Sequence, residues 1–569
     1  MGGGLLLLGL AALLRPSLQA QQERAGLLVP AAQGDGLSAD VAVPALALGA
    51  FRGVVTDYLW LRSLSLREQG RHYEARQLAE QIGRLQPRLS QVWSYLAHDL
   101  AYNLAATESD WRGRWRWIQN GIALLRDEGL RLNPGDPELY FMLSRIYQDK
   151  IGAAFDDFHL QFKREHAQEM RVVLGDLRVE ELAATPLLDA LLRADPEVRA
   201  LAARAEAVEI DLEDLPLHEV VLAAAKASPH PLWEDFFARE RPTEAYRRAL
   251  RSARRTRLER QYKLEPARML EVDRSWGPLD WRAWQATAIY WALAGVQAAE
   301  ERGDLPARLR LRRIAVQALK DAMRQGRIEV LPDGRIFLAP DVDLVARVDE
   351  KYLESIALAQ DLLVRLEGGA HEEEEHRHGR DPLDAVSAFA VNQKSAREDF
   401  LAEAVITLTQ YGREAEARAF LARARLSYPE NPGFQLSYDQ FVIVALAQRY
   451  ADPGTFDTQV GTSQLLEGTW TTAYKLLALG QDERFRGLRR LALATQQRWN
   501  RVLAGRPPVD RARLSIPYEA IRRRAAYRAF QQLPSPALRE RLARRLGVTV
   551  AELATPPEPV PLPPPRGMR

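Results

Sequence analysis

A glycine and a proline seventeen residues apart, with alanine between them on the helical period, constrain this chain more than any other feature. In "GREAEARAFLARARLSYP" the interval runs from Gly412 to Pro429 and contains Ala417 and Ala424. In "GRHYEARQLAEQIGRLQP" it runs from Gly70 to Pro87 and contains Ala75. Glycine reaches the left-handed backbone conformation a tight turn needs, and proline cannot continue a helix. Alanine is small enough for two helices to approach closely. The pattern therefore predicts helical hairpins that turn at the glycine, pack at the alanines and end at the proline. After Pro87 the next helix opens with Trp93, Leu96 and Ala97. A partial third copy, "GLRLNPGDPELYFMLSRIYQDK", sets Pro134 ahead of Tyr140, Leu143, Ser144 and Tyr147.

Apolar residues at three- and four-residue intervals, as in "AEQIGRL", "FMLSRIY" and "AVITLTQ", extend the helical reading over nearly the whole chain past Phe51. One Pro-Asp-Gly turn between "RIEVL" and "RIFLA" reads as a β-hairpin over 327–339. The expected fold class is all-α, a stack of helical hairpins with one small β-hairpin insertion. Breaks in the pattern divide the chain into an apolar N-terminal segment (1–20), a linker (21–50) and a repeat-bearing region (51–175). There follow a helical insertion (176–245), a helical region holding the β-hairpin (246–367) and the acidic linker "GGAHEEEEHRHGRDP" (368–382). A second repeat-bearing region (383–455), C-terminal helices (456–555) and a Pro-rich tail (556–569) complete it. The tail has too little apolar surface to fold and is expected to be disordered.

The hairpin spacings resemble tetratricopeptide repeats, whose paired helices stack into a right-handed superhelix. At Gly70 the aromatic expected two places later is His72, with Tyr73 following it. The stretches "LGAFRGVVTDYLWLR", "RWRWIQNGIALLRDEGLRLNP" and "YKLEPARMLEVDRSWGPLDWRAWQATAIYWA" are similar to a family of anchored, tetratricopeptide-like envelope proteins of planctomycete-type bacteria. That resemblance covers about 51–175 and 262–300 and implies a helical-hairpin solenoid at the cell envelope, with no assigned reaction. Thr287 stands where that family usually carries a histidine.

The 569 residues suffice for about four ordinary domains or one extended repeat array. A formal net charge of +2 lacks the concentrated positive field that phosphate binding needs, so no nucleic-acid partner is expected. Cysteine is absent, which excludes thiol nucleophiles, disulfides, thiolate-bound metals and covalent c-type haem. The apolar run Leu5–Leu14 falls short of the roughly 20 residues that span a bilayer. It matches a signal-peptide core with Ala20 before a cleavage point, although "MGGG" supplies no basic side chain. Residues 1–20 are therefore read as a signal peptide or N-terminal membrane anchor, placing the chain on the periplasmic side of the envelope.

Candidate chemistry is sparse. "DDFHLQFKREHAQEM" sets Asp156, His159, Lys163 and His166 along one helical stripe. Its histidines stand about 10 Å apart along the axis, too far for one zinc, so a hydrogen-bonded polar face is expected. The acidic cluster His371, Glu372 to Glu375, His376 and His378 lacks the spacing of a zinc-protease helix and reads as a solvated linker. Trp111, Trp115 and Ile118 follow helical spacing and should build core, while Trp117 is expected to be exposed. Seven arginines between Arg247 and Arg260 read as a solvated helix paired with nearby acids. The "LRERLARRLGVTVAELA" stretch imitates a helix-turn-helix, but its second helix, 549–554, is too short to read a groove.

No phosphate-cradling loop, nucleophile elbow or His-Glu-x-x-His helix is present. The expectation is a non-catalytic scaffold that binds a protein or peptide partner in a concave groove, without cofactor or metal. In such a stack the first helix of each pair lines the groove. Its non-core positions are Tyr95, His98 and Tyr102, then Arg145, Gln148 and Asp149. The rivals are an envelope-polymer-processing enzyme with a carboxylate pair invisible in sequence, and a structural spacer. A deep polar-aromatic groove favours the binder; a closed pocket with two facing carboxylates favours the enzyme.

Overall fold

The computed structural model describes residues 52–85, 87–154, 156–224, 231–330, 336–367, 382–411, 413–442, 457–508, 511 and 514–556. The expected N-terminal segment and linker, residues 368–381 of the acidic stretch, 557–569 of the tail and Gly412 itself lie outside the described residues. Within them the chain is all-α apart from one two-stranded sheet. It forms two compact units, Met1–Leu96 and Ala97–Arg569.

In the first unit the helices Arg52–Glu68 and His72–Leu85 make the hairpin expected at Gly70, whose φ of 75° is the left-handed turn conformation. Ala75 and Ile82 are buried on the facing side, and the Ser63 hydroxyl donates to the Ala75 carbonyl at 3.1 Å. Trp93 caps the pair, its indole N–H donating to the Pro87 carbonyl at 2.9 Å.

The second unit is organised on the helix Trp284–Arg302, which is buried nearly all round. A Cβ on Gly295 would stand 2.6 Å from the Cβ of Tyr140, so the missing side chain permits helix Pro137–Arg145 to approach. Helix Leu305–Gln325 covers another side and is followed by Val345–Glu367, Pro382–Gln410 and Glu414–Ser427. In the last of these Ala417 and Ala424 are fully buried, on the face expected to pack. Asp349, wholly buried, accepts from Arg397 at 2.8 Å and also pairs with Arg423, tying those three helices together.

The β-hairpin pairs Arg327–Val330 with Ile336–Ala339 antiparallel, with Ile328 opposite Leu338; its turn lies outside the described residues. It is pinned by the Ile328 N–H donating to Asp280 at 2.9 Å and by Arg282 donating to the Ile328 carbonyl at 2.8 Å. Val198, Leu201, Phe236 and Phe237 of the insertion share a separate core with Tyr246 of the Arg-rich helix Glu244–Gln261, which begins at its end. There Arg248 pairs with Asp195 and Glu197, Arg255 with Glu259, Arg257 with Asp214, and Arg260 with Glu213 and Asp189. The C-terminal helices Pro536–Leu546 and Val550–Ala554 turn Leu542, Ala543 and Leu553 into a separate core. Among the described residues no helix is long and apolar enough to cross a membrane.

Candidate functional site

Helix Pro137–Arg145 starts under the Asp136 carboxylate, which accepts from the Glu138 N–H at 3.0 Å, with Pro137 in the first turn. It runs directly into a π-helical segment, Ile146–Gly152. Two further π-helical segments, Asp99–Leu104 and Leu124–Gly129, interrupt neighbouring helices. Such widened turns are uncommon and concentrate at functional sites. Here the segment turns Ile146, Tyr147, Lys150 and Ile151 inward, while Arg145, Gln148 and Asp149 face outward.

Those three outward residues form one wall of a cleft of about 580 Å³. Helix Leu305–Gln325 contributes Arg313, Ile314, Val316 and Gln317; Val345–Glu367 contributes Tyr352; Pro382–Gln410 contributes Asn392, Gln393 and Ala396. Phe141 closes the first wall. The lining is thus rich in side-chain amides and holds a single carboxylate, Asp149. That carboxylate is already engaged, 2.8 Å from the Arg145 guanidinium on the next helical turn, and the pair raises the Arg145 pKa. The Gln317 amide donates to Asp321 at 3.2 Å. Gln393 is 1 % exposed; its amide donates to Asn392 at 3.5 Å and its Oε1 has no partner among the described residues. Arg313 is exposed and, among the described residues, makes no ion pair or hydrogen bond.

The expected groove residues divide between the two units. Tyr95 belongs to the first, its ring 4.9 Å from Trp60. His98, Tyr102, Arg145, Gln148 and Asp149 belong to the second. There the His98 and Tyr102 rings stack at 4.5 Å, and Lys150 stands 5.5 Å from the Tyr102 ring centre. The Tyr102 hydroxyl is enclosed, and burial, then the Asp149 charge, pushes its pKa up. Tyr102 and His98 are not among the residues that line the cleft. Arg313, Asn392 and Gln393 were not among the residues expected from sequence, because neither one arginine among several on a helix nor an Asn-Gln pair carries a motif.

The polar stripe Asp156, His159, Lys163 and His166 is buried, and the His166 Nε2 has no hydrogen-bond partner among the described residues. Asp156 accepts from Arg114 at 3.1 Å and Lys150 at 3.2 Å, and the Phe158 N–H at 3.0 Å. Lys163 lies 2.9 Å from the His159 ring nitrogen, and burial pushes His166 down to about 4. Trp115 and Ile118 are core residues, whereas Trp111, expected with them, is only half-buried; Trp117 is half-buried and donates to Glu108 at 3.0 Å, where exposure was expected.

No family model matches the chain. No curated protein is significantly similar to it either.

Proposed function

We propose that this chain is a non-catalytic binding protein of the bacterial cell envelope, a tetratricopeptide-like stack of helical hairpins that holds a peptide or protein partner in the cleft. The observation that carries this reading is the composition of the lining: four amide side chains, Gln148, Gln317, Asn392 and Gln393, with one carboxylate already paired. Side-chain amides both donate and accept, which matches the alternating donors and acceptors of an extended main chain. An envelope-polymer-processing enzyme would need two carboxylates at one opening; Asp149 stands alone in this lining. The hairpins at Gly70 and at Ala417 and Ala424 support the repeat assignment, and the N-terminal apolar run supports the location.

Site-specific photocrosslinking in intact cells tests the reading. A benzoylphenylalanine at Asn392, exposed in the cleft, is expected to give a discrete heavier adduct. The same group at Glu197, 70 % exposed on the insertion, should give none. Equal labelling at both positions, or none at Asn392, would remove the cleft as the partner site.

A further inference from the structure

Resting on that reading, we propose that the cleft selects an acidic extended segment, with a partner carboxylate held by Arg313 and the adjoining main chain held by Gln393 and its neighbouring amides. The charge balance of the lining points this way. Arg145, Arg313 and Asp149 are its charged side chains. Arg145 and Asp149 neutralise one another at 2.8 Å, which leaves the Arg313 charge unanswered among the described residues. Its neighbours on the same helix are all engaged: Arg308 with Glu300 at 2.9 Å, Arg310 with Glu138 at 3.0 Å, and Arg312 with Glu354 at 3.0 Å. A guanidinium offers a planar fork of donors that a carboxylate meets bidentately.

The second, independent mark is Gln393. A buried amide oxygen without a donor carries a desolvation cost that a ligand N–H would relieve. Gln393 Oε1 is such an oxygen, and it lies in the lining with Arg313. A saccharide or a nucleobase fits less well, because both seek an open aromatic face. Arg310 stands over the Phe141 ring at 4.7 Å, and Tyr352 is only 2 % exposed. The chemistry left on offer is one cation, unpaired among the described residues, in a lining with four side-chain amides.

Selection of a phage-displayed random dodecapeptide library on the full chain tests the proposal, followed by fluorescence anisotropy with the selected peptides. Enriched sequences should carry Asp or Glu. Replacing that acid by its amide, or Arg313→Gln in the protein, should each weaken binding about tenfold or more. The two changes together should cost little more than either alone. Arg313→Gln should melt as the parent does, since the side chain is exposed and unpaired among the described residues. Arg418→Gln, on helix Glu414–Ser427 and outside the cleft lining, should bind as the parent does. Peptides that lose affinity on Gln393→Leu but are neutral or basic, or indifferent to Arg313→Gln, would overturn the acidic preference and leave the peptide-binding reading standing. No enrichment over an unrelated protein would overturn both.

Discussion

Glu169 accepts from the Trp115 indole at 3.0 Å and the Gln119 amide at 3.3 Å, and burial, opposed by the Trp115 bond and aided by the Glu165 charge, pushes it up to about 7. A carboxyl that ionises near its usual 4.5 when unfolded and near 7 when folded takes up a proton on folding between these values. Its contribution to stability is whole below about 4.5 and is lost as pH rises through about 7. Glu169→Gln keeps an acceptor for Trp115 and removes the charge. It should raise stability at pH 8 on the order of 2 kcal/mol and change it little at pH 4.5. Urea titrations at the two pH values measure this, and an equal effect at both would refute the assignment. Gly70 is the residue-scale feature that was legible beforehand. Its φ of 75° and the open space around it mean that Gly70→Val is opposed by backbone strain and not by a clash. A loss of about 1–2 kcal/mol in thermal melting is expected; an unchanged melting curve would place the turn elsewhere. The twin at Gly412 falls outside the described residues.

At the scale of elements, helix positions followed from apolar period and from turn residues, and the β-hairpin followed from Pro-Asp-Gly. The π-helical segments did not follow. A period of 3.6 residues is what the pattern assumes, and one extra residue per turn shifts every later side chain around the axis. Gln148 and Asp149 still face the cleft, but on a widened turn that sequence spacing does not encode. Asp349, buried and paired with Arg397 and Arg423, ties three helices together. Asp349→Ala would leave Arg397, whose side chain is 4 % exposed, buried without its carboxylate. A destabilisation of about 3–5 kcal/mol is expected. The double variant Asp349→Leu with Arg397→Met should recover much of it, because the uncompensated charge is gone. Failure of the pair to recover would mean that the shape of the contact matters more than its charge.

For the molecule as a whole, the cleft gathers side chains from Phe141 to Ala396, across the insertion and the β-hairpin. A binding surface assembled over that span depends on the mutual packing of four helices. Chemical denaturation should therefore abolish adduct formation at Asn392 in parallel with the loss of helical signal. The proposed location has its own test: the full chain should fractionate with the envelope, and a chain starting near Gln21 should be released from it. Full-length protein found wholly in the cytosol would overturn that placement.

What the sequence determined by itself is local. The helical period, the turn at Gly70, the buried Ala417 and Ala424 and the strands of 327–339 depend on residues within about twenty positions of one another. The expectation that Arg145, Gln148 and Asp149 share an outward face also came from one short stretch. Which cation stays unpaired among the described residues was decided only by tertiary structure. Arg308, Arg310, Arg312 and Arg313 stand within six residues, and nothing in their order distinguishes them. Glu300, Glu138 and Glu354 reach three of them, each acid from a different helix, and the fourth is left facing the cleft. An ion pair forms where two side chains meet in space, and for partners as far apart in the chain as Arg310 and Glu138 only folding brings them together.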